Sequence, residues 1–125
     1  DRGKSLRIKI KFLKYILLLL VSGYCFSQEI RESNGILVVE FYADWNKHNS
    51  CKYLEQLKEC KTLKVNIDKK KDLQEEYNIE VLPTLILFNN SVEICRFKGN
   101  LLFQLNVEKK EVQAKIDSII ISKFK

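Results

Sequence analysis

Ile36-Leu-Val-Val-Glu-Phe-Tyr-Ala-Asp-Trp-Asn-Lys-His-Asn-Ser-Cys51 decides the architecture of this chain. Its first half, Ile36–Ala43, is almost continuously apolar and rich in Val, Ile and aromatic residues, the pattern of a strand buried on both faces. Its second half turns polar at Asp44-Trp45 and ends in a single cysteine. Ser50 reads as the N-cap of a helix in which Tyr53, Leu54 and Leu57 recur at helical spacing, ending near Cys60. On such a helix Cys51 and Cys60 stand roughly 13 Å apart at ~1.5 Å per residue, beyond disulfide reach.

Working outward, Leu63–Ile67 is a second strand closed by Asp68, and Lys69–Tyr77 a short polar helix whose Leu73 and Tyr77, at i and i+4, face the sheet. Val81-Leu-Pro-Thr-Leu-Ile-Leu-Phe88 is a strand introduced by the only proline of the chain. Asn89-Asn90-Ser91 turns it into Val92–Phe97, an antiparallel hairpin. After Lys98-Gly99-Asn100, a final helix is expected from Leu101, with Leu105, Val112, Ile116, Ile119 and Ile120 on its apolar face. The order β-α-β-α-β-β-α defines an α/β domain, a mixed central sheet of about four strands flanked by helices.

The formal charge of +6 is unevenly placed. Residues 1–27 carry six cations against Asp1, whereas residues 28–125 carry 16 Lys and Arg against 15 Asp and Glu. The body is therefore close to neutral and offers no footprint for a nucleic-acid backbone. The N-terminal cations precede the apolar run Tyr15–Val21 and a polar segment ending at Ser27. These are the n-, h- and c-regions of a secretory signal peptide over residues 1–27, with cleavage before Gln28 and the folded domain over 28–125. The apolar run is far shorter than the ~20 residues that span a bilayer, so membrane contact is expected only during export. An extracytoplasmic location, periplasmic or secreted, follows as the expectation. The absence of Met at position 1 leads us to expect a natural start elsewhere. Loss of Cys25 on cleavage leaves Cys51, Cys60 and Cys95, an odd set in which at least one thiol stays outside any internal bridge.

Leu37-Val-Val-Glu-Phe-Tyr-Ala-Asp-Trp45, Lys64-Val-Asn-Ile-Asp68, Val81-Leu-Pro-Thr-Leu-Ile-Leu-Phe88 and Gly99 arrive in an order that resembles the thioredoxin superfamily across nearly the whole of 28–125. The resemblance implies a thioredoxin-like fold, trimmed because too little chain precedes Ile36 for the family's opening strand and helix. It also implies that Pro83 is cis and faces the loop after Trp45, where the adjoining backbone pairs with an extended substrate. Trp45, Leu82, Pro83 and Thr84 are accordingly the candidate binding residues. Glu40 falls where many members carry a buried acid. A carboxylate there needs a hydrogen bond and has a raised pKa.

The chain departs from the family where the chemistry sits. No Cys-x-x-Cys follows Trp45. If Lys52 matches the basic residue after the family's motif, Cys51 takes the resolving position, and Asn46 or Lys47 fills the place of the attacking thiol. Thioredoxin-type reduction needs one thiolate to attack and a second to release the mixed disulfide. The expected function is thus an exported thioredoxin-like domain without the dithiol site, a protein- or peptide-binding or redox-accessory module. The alternative is a single-cysteine redox protein acting through Cys51, the candidate catalytic residue, whose thiolate a helix N-terminus with Lys47, His48 and Lys52 would favour. A third arrangement pairs Cys51 with Cys60 or Cys95. No cofactor is implied, and His48 with Cys51 makes only half of a metal site. The partners expected are protein or peptide clients.

Overall fold

A computed structural model describes residues 29–124, and the account below concerns the unit from Glu32 onward. The expected signal peptide and Cys25 lie outside the described residues. Four strands, β1 (Ile36–Tyr42), β2 (Lys61–Asn66), β3 (Thr84–Asn89) and β4 (Val92–Lys98), form one mixed sheet in the order β2-β1-β3-β4. β1 runs parallel to β2 and antiparallel to β3, and β3 runs antiparallel to β4. The two helices are α1 (Lys71–Glu76) and α2 (Lys109–Ser122). The mixed four-stranded sheet with flanking helices is the architecture expected from the sequence.

β1 is central because its side chains are apolar on both faces, and all but the last of its residues are buried. On one face Ile36 and Val38 join Leu85 and Leu87 of β3 under Val112 and Ile116 of α2, with Leu54, Leu57 and Cys51 completing the layer. On the other, Tyr77 at the end of α1 lays its ring 5.8 Å from Phe41 and 5.7 Å from Phe88. The β3–β4 hairpin closes through Asn90 and Ser91, both at positive φ (51° and 69°). That is the backbone whose twist matches a two-residue hairpin. Gly35 N–H donates to Asn90 Oδ1 (2.8 Å) and Ser91 Oγ to the Ser33 carbonyl (2.8 Å), which ties this turn to the entry of β1.

Two expectations are corrected. The segment after Ser50 is not an α-helix. Ser50 and Leu57 are extended, and only one 3₁₀ turn, Leu54–Gln56, lies between Cys51 and β2, following another at Asp44–Asn49. The apolar pair Leu54 and Leu57 sits at i, i+3, the repeat of a 3₁₀ turn as much as of an α-helix, and nine residues from Cys51 to β2 leave room for one turn and a sharp return. Glu59 makes that return at φ 63°. Cys51 and Cys60 therefore share no helix, and Cys51, Cys60 and Cys95 are all free thiols. The last helix begins at Lys109 rather than at Leu101, because Asn100 folds the intervening residues into a separate turn.

Candidate functional site

The topology brings three loops to one end of the sheet. β1 ends there, β3 begins there and β4 ends there, so residues 43–51, 81–84 and 99–104 are neighbours. The β2 end supports the first loop: Asp68 Oδ2 accepts the Asp44 N–H (3.0 Å) and Asn66 Nδ2 donates to Asp44 Oδ1 (2.8 Å).

Gly99 joins the second and third loops. Its N–H donates to the Pro83 carbonyl (2.8 Å). A Cβ at this position would stand 2.8 Å from the Leu82 carbonyl oxygen and 3.1 Å from that of Pro83, so only a glycine lets the two backbones meet. The Leu82–Pro83 peptide bond is cis. The side chains of Leu82, Pro83 and Thr84 are buried, and Thr84 Oγ1 donates to the Val81 carbonyl (2.6 Å). Both ladders of β3 begin only at Thr84, so the Leu82–Pro83 backbone lies outside them.

Asn46 joins the first and third loops. It is 1% exposed, its Nδ2 donates to the Phe103 carbonyl (3.3 Å) and its Oδ1 accepts from Asn49 Nδ2 (3.1 Å). Beside it Trp45 meets the Phe103 ring edge-on, centroids 5.1 Å apart. The residue after the tryptophan is thus a structural tie between two loops. Phe103 itself is held at φ 58°, by its N–H to the Asn100 carbonyl (3.0 Å). Asn100 Oδ1 accepts from the N–H groups of Leu102 (2.9 Å) and Gln104 (3.0 Å), which fixes the whole turn.

Cys51 lies beneath this surface, 5% exposed. Its N–H donates to Glu40 Oε2, and Glu40, fully enclosed in the sheet, has its other oxygen 3.7 Å from Lys64 Nζ. That second contact is an ion pair too long to be a hydrogen bond. Burial pushes the Glu40 carboxyl up, against the opposing pull of the Cys51 N–H and of Lys64. Burial also pushes the Cys51 thiol up, and the charge of Glu40 adds to this against a Tyr53 N–H. The Tyr53 hydroxyl gives its one proton to the Val107 carbonyl (2.6 Å). The single-cysteine alternative would need a lowered Cys51 pKa; burial raises it instead, no α-helix starts there, and Lys47, His48 and Lys52 are exposed at the surface while the thiol is not. Burial raises Cys60 and Cys95 as well.

The structure therefore gathers Trp45, Leu82, Pro83 and Thr84 around Gly99–Phe103 and leaves Cys51 in the core below. Reading the sequence alone missed the hydrogen-bonding roles of Asn46 and Asn100 and the place of Phe103. A signal was present: Gly99-Asn100 followed by Leu-Leu-Phe places a turn former before three bulky apolar residues that fit no helix face. Among the described residues no three of His, Cys, Asp and Glu come together as metal ligands.

Comparison with known proteins agrees with this geometry. The thioredoxin family model matches residues 18–117. The chain is 36% identical over 75 residues to mitochondrial thioredoxin-2 of Schizosaccharomyces pombe, covering 54% of this chain and 55% of that protein. It is 35% identical over 79 residues to a thioredoxin of Rickettsia felis, covering 56% of this chain and 73% of that protein. A mutant thioredoxin of Halobacterium salinarum superposes with a TM-score of 0.56 at 21% identity, over 73% of this chain and 80% of that one.

Proposed function

The chain belongs to the thioredoxin family, and from that premise we propose that it is a polypeptide-binding member working without a dithiol. One observation carries the reading: the surface beside the cis Leu82–Pro83 bond has an exposed tryptophan, and the residue after it is Asn46, buried and hydrogen-bonded to Phe103, with no thiol beside it. A client would lie along the Leu82 backbone with Trp45 at its side, in the manner of strand addition. The domain acts outside the cytoplasm after export, where its clients are other exported chains. The single-cysteine alternative needs an accessible thiolate at Cys51, and burial opposes both access and ionisation.

Two assays test this. Insulin reduction driven by dithiothreitol should run at the rate of the reductant alone and be unchanged by Cys51→Ser. Turnover comparable to a dithiol thioredoxin overturns the proposal. Reduced, alkylated insulin B chain should shift the emission of Trp45, the only tryptophan. No shift at any concentration counts against a binding role.

A further inference from the structure

We propose that Asn34–Gly35 is a site of spontaneous covalent modification, deamidation through a cyclic imide, and that the Asn90 side chain holds it closed in the folded protein.

Asn34 is the only asparagine of the chain followed by glycine. The reaction depends on that neighbour. The backbone nitrogen of Gly35 loses its proton and attacks the side-chain carbonyl carbon of Asn34. The Asn34 amide C–N bond then breaks and ammonia leaves. Water adds to either carbonyl of the five-membered imide and opens it to aspartate or to isoaspartate. The sum is asparagine plus water giving acid plus ammonia, with no oxidant, reductant or cofactor. Glycine favours it because no Cβ hinders the attacking nitrogen and the backbone can turn into the ring geometry.

Bulk does not protect this nitrogen. Asn34 is exposed, and a Cβ built on Gly35 would meet no heavy atom within 4 Å beyond its own chain neighbours. Hydrogen bonds protect it instead. The Gly35 N–H donates to Asn90 Oδ1 (2.8 Å), and the Asn90 N–H donates back to the Gly35 carbonyl (2.9 Å). The clamp holds Gly35 at φ 78° against Asn90 at φ 51°. A nitrogen whose proton is bound to Asn90 is neither ionised nor able to turn toward the Asn34 amide.

The clamp lies just outside the ladder, whose first pair is Ile36 with Asn89, and Asn90 is exposed. Opening it is therefore a local event that leaves the sheet intact. Isoaspartate makes the opening one-way. It routes the main chain through the former side-chain carbon and so adds a methylene between Ser33 and Gly35. The Ser33 carbonyl accepts from Ser91 Oγ (2.8 Å) while Gly35 is held by Asn90, and the lengthened link no longer fits both ties.

The test incubates the full chain in mildly alkaline buffer and follows position 34 by peptide mass spectrometry with electron-transfer fragmentation, which separates aspartate from isoaspartate. Native protein should convert about tenfold or more slowly than protein in urea, since only the opened turn reacts. Asn90→Ala, folded by circular dichroism, should speed native conversion about tenfold, the scale of one lost hydrogen bond. Asn90→Asp, which keeps an acceptor and suits positive φ, should stay slow. Should Asn90→Ala unfold, the native-to-urea ratio and Asn90→Asp decide the matter. Asn34→Gln, too long for the five-membered ring, should not convert over the same time. Native conversion as fast as in urea, or equal in wild type and a folded Asn90→Ala, overturns the gating, and no conversion in urea overturns the site. Purified isoaspartyl protein should exchange the Gly35 and Asn90 amides faster than unmodified protein, while Trp45, beyond the other end of β1, keeps its emission. Unchanged exchange would show that the turn recloses and overturns the one-way step.

Discussion

The backbone N–H of Cys51 donates to the carboxylate of Glu40, a side chain with no exposure to solvent. This bond ties the loop after β1 back onto β1 and fixes the depth at which the thiol sits. It also makes Glu40 a source of pH dependence. A carboxyl raised in the fold binds its proton more tightly folded than unfolded. The contribution of Glu40 to stability is therefore fully present below the ordinary value near 4.5 and falls as pH climbs through the raised value, levelling above it. Urea midpoints across pH 4 to 8 should show this decline in the wild type relative to Glu40→Gln, which keeps an acceptor for the Cys51 N–H. Lys64→Met should steepen it, because the cation that opposes the rise is removed. Parallel curves for wild type and Glu40→Gln would rule this out.

Thiol labelling follows from burial. Native protein treated with iodoacetamide at pH 7 should alkylate Cys51 more slowly than Cys60 and Cys95, which are partly exposed, and all three more slowly than a free thiol. Unfolding in guanidinium should remove the ranking. Mass spectrometry of timed digests reads both results, and a Cys51 that labels first in the native protein contradicts them.

Asn46→Ala removes two side-chain hydrogen bonds and leaves the Phe103 carbonyl and Asn49 without these partners in a partly buried setting. The cost should be about 1–3 kcal/mol, the range for orphaning a buried polar group. The Trp45 spectrum should change with it, since the Phe103 ring beside the indole is released. Denaturation curves and emission spectra of the variant check the two effects separately.

The sheet was legible in the sequence for a physical reason. Ile36–Tyr42 and Thr84–Phe88 are apolar on both faces, and no other environment suits such short runs bounded by turn formers. The segment after Ser50 was not, because Leu54 and Leu57 carry the same spacing in a 3₁₀ turn as in an α-helix, and what decides between them is the distance to β2. Trp45 and Pro83 stood out by residue type. The ties that assemble the site did not: Asn46 and Phe103 are 57 positions apart, and no local pattern announces a bond between them.

Gly99→Ala tests the junction on which the site depends. The added Cβ would meet the Leu82 carbonyl oxygen at 2.8 Å and carbonyl atoms of Leu82 and Pro83 at 3.1 Å, all of them backbone. Backbone cannot rotate aside as a flexible side chain does, so either the 82–84 segment shifts or the 99–104 turn lifts. The loss should be about 1–3 kcal/mol, the usual cost of forcing atoms into filled space. The Gly99 N–H to Pro83 carbonyl bond would stretch with it. Hydrogen exchange should therefore quicken at Gly99 and at the amides of Leu102 and Gln104 while Val38 and Leu87, deep in the sheet, keep their protection until global unfolding. Uniform acceleration across the sheet would show instead that Gly99 supports the whole fold.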